Sequence, residues 1–153
     1  MRLMKKILSI ISCLILSGCS TVNIPSYIQD KHPYEKKFYA SFDKVLKATK
    51  ETLQDFGWKI VEEADPSAFE VAKKSDNPQS QHVLLFTGIR QTSLFLGSRY
   101  ARLNIYVEAI NDTTTGLDLR YVTVNSIPFK SFTSYQNNRA VERIFAHIEK
   151  KLE

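Results

Sequence analysis

Apolar residues recur along this chain with two different periods, and the switch between them marks out its elements. Phe42, Val45, Leu46, Thr49, Leu53 and Phe56 fall at offsets 0, 3, 4, 7, 11 and 14, one stripe of an amphipathic helix. Ser41 is placed to cap its start, and Asp43 complements the dipole of its first turn. Gly57 suits its end, because glycine accepts a left-handed backbone. A second stripe, Val141, Ile144, Phe145, Ile148 and Leu152, predicts a closing helix from about Tyr135 to Leu152.

Between the helices the period shortens to two, that of a strand with one buried face. Phe38 to Ala40 predicts a short strand before the first helix. After it, Trp58, Ile60 and Glu62 alternate with Lys59, Val61 and Glu63. Asp65-Pro66-Ser67 makes a turn. Phe69 and Val71 alternate with Glu70 and Ala72 in a next run, which ends in the polar stretch Lys73 to Gln81. His82 to Thr87 is more continuously apolar. Arg99 to Ala109 is the clearest strand, with Ala101, Leu103, Ile105 and Val107 on one side and Tyr100, Arg102, Asn104 and Tyr106 on the other. Asn111 to Gly116 forms a turn cluster, and Leu117 to Val124 returns as the hairpin partner. The order β-α-β-β-β-β-β-α, joined mainly by hairpins, predicts an α+β fold. It comprises an antiparallel sheet of about five strands with two helices packed on one face.

The N-terminus follows neither period. Arg2, Lys5 and Lys6 precede an apolar run from Ile7 to Leu16, too short to cross a hydrocarbon core of about 30 Å. A cationic start, a short apolar run and then small residues have the form of an export signal. Leu16-Ser17-Gly18-Cys19 resembles the bacterial lipobox. That resemblance implies a diacylglyceryl thioether on Cys19, cleavage between Gly18 and Cys19, and acylation of the new amine, palmitate being a usual acyl group. Two or more acyl chains hold a protein stably on a membrane, each buried methylene adding about 0.8 kcal/mol. Ser20, by the enterobacterial sorting pattern it resembles, favours the outer membrane, with the inner membrane as the alternative.

Residues 1–18 are thus expected to be a removed signal, 19–34 the lipidated cysteine and a flexible tether, and 35–153 a single α+β domain. Within the tether, Val22, Ile24, Tyr27 and Ile28 offer a different outcome: docking on the domain, or lying in the lipid interface.

A further resemblance rests on Ala40-Ser41-Phe42-Asp43-Lys44-Val45 through Phe56-Gly57-Trp58-Lys59-Ile60, where a short strand and a helix end at an aromatic-Gly-aromatic step. It is similar to the helix-grip domains of small envelope lipoproteins, including accessory lipoproteins of the outer-membrane barrel-assembly machine. The match covers about a sixth of the chain and implies a fold and a compartment, whereas fold alone assigns no function.

Composition changes once the signal is set aside. The full chain has 21 basic and 16 acidic residues, and the signal holds three of the basic ones, so the remaining 135 residues carry 18 against 16, a net +2. Nothing in that balance supports nucleic-acid binding. With Cys13 removed and Cys19 lipidated, no cysteine is left for a disulfide. The domain must therefore rely on its core, to which seven Tyr, nine Phe and one Trp contribute.

Catalytic chemistry is hard to find. His32, His82 and His147 have no partners at metal-ligand spacing, and no nucleophile elbow, phosphate loop or zinc-binding helix is present. Glu62 and Glu63, adjacent on a strand, point to opposite faces and cannot easily share a site with Asp65. Two segments offer binding surface instead. Gly88 to Ser98 reads as a loop carrying Leu94, Phe95 and Leu96, and Ile127 to Tyr135 carries Phe129 and Phe132. These side chains either cap the core or form a partner patch. Arg99 and Arg102 on the long strand, with Arg120 on its hairpin partner, are candidate contacts for an anionic glycan or lipid headgroup, or else members of cross-strand ion pairs.

The expected protein is a non-enzymatic, lipid-anchored envelope module on the periplasmic face of the outer membrane. It needs no cofactor or metal, and it binds another envelope protein or lipid in a binding or assembly-accessory role. A periplasmic lipid or small-ligand carrier is the alternative, and a cell-wall hydrolase a more distant one.

Overall fold

The alternating residues Ala101, Leu103, Ile105 and Val107 are all buried, and they form the centre of the longest strand in the computed structural model, which describes residues 22–69, 81–128 and 130–153. In chain order the elements are β1 (Tyr34–Phe38), α1 (Phe42–Asp55), β2 (Ile60–Ala64), a 3-10 turn (Pro66–Ala68), β3 (His82–Thr87), β4 (Arg90–Leu94), β5 (Gly97–Asn111), β6 (Thr114–Ile127), β7 (Lys130–Ser134) and α2 (Asn138–Leu152). Among the described residues the fold is α+β, with a seven-stranded antiparallel sheet and two helices.

The β5–β6 hairpin is the spine, and its two halves have different neighbours. Near the Asp112-Thr113 turn the sheet runs β1-β6-β5-β3-β2. Toward the other end, β4 pairs with Gly97–Ala101 of β5, and β7 pairs with Thr123–Ile127 of β6. The sheet thus has five strands in its proximal half and seven in all among the described residues, against the expected total of about five. A distal half, β4-β5-β6-β7, extends beyond it. At the changeover Thr87 closes the ladder with its side chain: its hydroxyl accepts from Leu103 N at 2.9 Å and lies 3.1 Å from Leu103 O.

Both helices cover one face of the proximal half. Val45, Ala48 and Leu53 of α1 and Val141, Ile144, Phe145 and Ile148 of α2 pack on Leu103, Ile105, Val107, Leu117 and Leu119. The predicted stripes are the buried ones because each heptad-spaced row lies on one side of its helix. Tyr34 fixes the start of α2: its hydroxyl donates to Asn138 Oδ1 at 2.7 Å and accepts from Asn137 N at 2.9 Å. Asn137 in turn caps the helix through Ala140 N at 3.2 Å. The helix therefore begins at Asn138 rather than near Tyr135.

The other face is also covered, which corrects the expectation of a tether over 19–34. Within its described part, Ile28 is fully buried and donates its backbone N–H to Asn104 Oδ1 at 2.6 Å. Asn104 Nδ2 donates to Ser26 O, and Arg102 Nη1 to Pro25 O at 2.7 Å. Tyr27 joins Leu84, Phe86 and Tyr106 in a second apolar cluster, where Phe69 lies between Tyr27, tilted at 5.3 Å, and Phe86, edge-on at 5.2 Å. The docking alternative holds because a buried asparagine must find partners, and an extended backbone supplies them. The strand expected over Phe69 to Ala72 lies, beyond Phe69, outside the described residues.

Candidate functional site

The segment expected to be a loop, Gly88 to Ser98, is a hairpin instead. Arg-Gln-Thr-Ser-Leu forms β4, all five residues exposed, and Phe95-Leu96 is the two-residue turn into β5. Such turns favour Asn, Asp or Gly, so two large apolar side chains there have no local turn chemistry behind them. Phe95 is 99% exposed and Leu96 64%. Core capping is thereby overturned for this pair. Gly97 follows at φ +140°, and a Cβ on it would overlap the Ser126 carbonyl oxygen. That close approach seats the Phe95-Leu96 turn beside the Ile127-Pro128 end of β6.

Strand alternation then groups the apolar residues. Leu94 pairs with Gly97, and Phe132 with Asn125, itself opposite Arg99. Leu94, Ile127 and Phe132 consequently share the helix-side face of the sheet, beyond the end of the helices, and each is between a third and half exposed. Phe129, the remaining member of the expected patch, lies outside the described residues.

The three arginines do not form one site. Arg102 and Arg120 share a face, since Asn104 pairs with Arg120, but Arg99 has opposite parity and points to the helix side. It donates to Asn125 Oδ1 at 2.8 Å. The face of Arg102 and Arg120 is not open to a ligand as expected: Pro25 takes the Arg102 guanidinium, and Tyr27 lies 5.5 Å from that of Arg120, which is buried.

A site that no local spacing announced lies where the helices give way to the distal sheet. Helix α1 ends in a Schellman turn: Trp58 N donates to Leu53 O at 2.7 Å and Gly57 N to Gln54 O at 2.8 Å, with Gly57 at φ +71°. This turn swings Trp58 under the sheet edge, edge-on to Tyr121 at 6.4 Å. Arg90 of β4 reaches across, with its guanidinium 4.8 Å from the Trp58 ring and Nη1 donating to Phe56 O at 2.8 Å. Arg143, from the first turns of α2, lies 5.4 Å from the Phe56 ring. Phe56, Trp58, Tyr121 and Ile144, with both arginines, line a cleft of about 280 Å³. Planar cations held over aromatic faces recognise anionic groups with an apolar flank.

The titratable residues elsewhere are tied into local contacts, the largest group of them between the two helices. His147 Nε2 lies 3.0 Å from Asp55 Oδ2, and Lys151 Nζ lies 3.0 Å from the same oxygen. Hydrogen bonds from Lys151, then His147, hold the Asp55 carboxyl below its ordinary range, and Asp55 holds the Lys151 ammonium above its own. Asp65 is likewise held low, chiefly by the Ser67 N–H, with His82 adding a smaller effect. Glu63 is taken by Lys50 at 2.7 Å. His147 is thus a half-exposed structural histidine, as its place beside the apolar stripe suggests. Among the described residues no group of three His, Cys, Asp or Glu side chains is placed to hold a metal, and no helix is long and apolar enough to cross a membrane. Gly18 and Cys19, the expected cleavage and lipidation positions, lie outside the described residues. No protein-family model and no curated protein sequence matches the chain.

Proposed function

We propose that the protein is a lipid-anchored envelope module that binds another envelope component non-enzymatically, with the cleft at Trp58 as its recognition site. The anchor rests on the lipobox form of Leu16 to Cys19 and the outer-membrane address on Ser20. The binding role rests on one observation: Arg90 and Arg143 lie over Trp58 and Phe56 at the mouth of an open cleft. Guanidinium and aromatic groups select anionic and apolar partners, and arginine keeps its charge at neutral pH. Sites that engulf a drug-sized ligand span about 300–1,000 Å³, and a cleft of about 280 Å³ lies at the lower end of that range, room for a side chain, a chain terminus or a headgroup rather than a whole diacyl lipid. This favours a docking module over a carrier, and it accords with the accessory role implied by the barrel-assembly resemblance.

A photo-crosslinking residue at Ala140, on the rim of the cleft, tests this in native membranes. One defined adduct is expected, and it is expected to disappear when Arg143→Glu is added. An adduct of equal yield in the Arg143→Glu background would remove the cleft from the binding role.

A further inference from the structure

The distal end of the sheet shows three independent features that converge on a bilayer. The first is the apolar tip. Phe95 and Leu96 fill the β4–β5 turn, and Leu94, Ile127 and Phe132 lie just behind them, none under a helix. An exposed group of this kind is a contact surface by its nature.

Charge is the second. Residues 88–101 and 123–141, which supply β4, β7, the distal parts of β5 and β6 and the start of α2, contain Arg90, Arg99, Lys130 and Arg139 and no Asp or Glu. All 16 acidic residues lie elsewhere in the chain. Arg99 and Lys130 flank the tip itself, and Lys130 folds back to 4.7 Å from the Phe132 ring. An apolar tip in a cationic, acid-free collar has the form of a surface that enters the interface of an anionic membrane.

The direction of the N-terminal segment is the third. From Ile28 at Asn104 to Pro25 and Ile24 at Arg102, the chain runs back along β5 toward Gly97. From Arg102 to the Gly97 end is five strand residues, roughly 17 Å. Five residues lie between Cys19 and Pro25, six steps with a reach of at most about 22 Å. A lipid on Cys19 is therefore within reach of the tip end of the sheet.

We infer that the Phe95-Leu96 turn, backed by Leu94, Ile127 and Phe132, is a membrane-docking tip that enters the same bilayer as the lipid on Cys19. This rests on the lipid-anchor reading of the proposed function. With the tip in the interface the domain stands upright on its distal hairpins. The cleft at Arg90 then faces the headgroup region, four strand residues above Leu94.

The test uses the full chain, purified from membranes and reconstituted into vesicles of phosphatidylethanolamine and phosphatidylglycerol, a fraction of whose acyl chains are brominated. Trp58 is the only native indole and is buried, so the unaltered protein is expected to show almost no quenching. Phe95→Trp, and separately Leu96→Trp, are expected to emit at shorter wavelength and to be quenched by the brominated chains. If the vesicles float with the protein and the Cys19 peptide carries lipid mass, but both new indoles emit as in water without quenching, the tip faces away from the bilayer and is left to a protein partner, and the inference fails. If the protein does not float and the Cys19 peptide lacks lipid, the anchor reading itself fails. The peptide mass tells the two failures apart.

Discussion

Asn104, at the centre of β5, accepts the backbone N–H of Ile28 at 2.6 Å across 76 positions of sequence and returns a hydrogen bond to Ser26 O at 3.1 Å. One fully buried amide thus holds the N-terminal segment along the sheet. Asn104→Ala removes both bonds and strands the Ile28 N–H. A loss of about 1–3 kcal/mol is expected from the unsatisfied buried group, measured by urea unfolding. Protease cleavage between Ile24 and Lys31 is expected to appear well below the unfolding midpoint. Unaltered resistance there would mean that Tyr27 and Ile28 hold the segment by packing alone.

What each element buries decides how legible it is in the sequence. Leu103, Ile105 and Val107 of β5 and Val141, Ile144 and Ile148 of α2 face one continuous core, so their spacing gives the element and its buried face directly. Strand β4 escapes because every residue of Arg-Gln-Thr-Ser-Leu is exposed: no core edits its pattern, and only pairing with β5 makes it a strand. β7 escapes for the same reason, with four of its five residues exposed. The docking of Ile28 depends on Asn104, far away in sequence, as the cleft depends on Arg90 meeting Trp58. Long-range pairs of this kind leave no local period. Arg99 and Arg102, by contrast, are separable from spacing alone, since an odd spacing on a strand means opposite faces.

At the cleft, Arg90 covers the Trp58 ring and ties β4 to the end of α1 through Phe56 O. Arg90→Ala is expected to shift Trp58 emission to longer wavelength as water reaches the indole. The stability change is expected to be about 0.5–1 kcal/mol, the worth of an exposed cation–π pair. Arg90→Lys is expected to restore stability in part but not the spectrum, because an ammonium does not cover the ring as a planar guanidinium does. An unshifted spectrum in Arg90→Ala would show that Tyr121 and Ile144 shield the indole by themselves.

The helix pair carries a predictable pH dependence. Asp55 accepts from Lys151 and His147, and its carboxyl is held below the ordinary value. An unfolded-chain Asp titrates at about 3.9, so the contribution of Asp55 is fully present above that pH and is lost as pH falls through the lower folded value. Lys151, held above its ordinary value by Asp55, contributes below the unfolded lysine value, and that contribution is lost as pH rises through the folded one. Asp55→Asn is therefore expected to flatten stability against pH on the acid side and again at the alkaline end. Chemical denaturation across that range measures it, and an acid limb identical to that of the unaltered protein would assign the dependence to other carboxylates.

For the tip, exposure separates folding from function. Phe95→Asp with Leu96→Asp is expected to leave the unfolding free energy within about 0.5 kcal/mol, the usual range for surface positions without special geometry. In vesicles, hydrogen exchange at the 94–97 amides is expected to slow for the unaltered protein and not for the doubly charged variant. Equal slowing in both would place the protection in something other than these two side chains.

Gly97 offers the complementary case, in which backbone geometry rather than side-chain polarity is changed. Its φ of +140° is strained for any L side chain, and a Cβ would overlap the Ser126 carbonyl oxygen. Gly97→Ala must therefore push β5 off β6 at the Ser98–Ser126 pair, the last that the two strands make at this end. The damage is expected to stay local, because the helix-covered cluster around Leu103, Ile105 and Ile148 contains no residue distal to Ala101. Near-ultraviolet circular dichroism from Trp58 and Tyr121 should persist, while amide protection is lost in β4 and β7. Loss of the whole near-ultraviolet signal with that protection would show instead that the distal hairpins unfold together with the core, and that the tip is part of one cooperative unit.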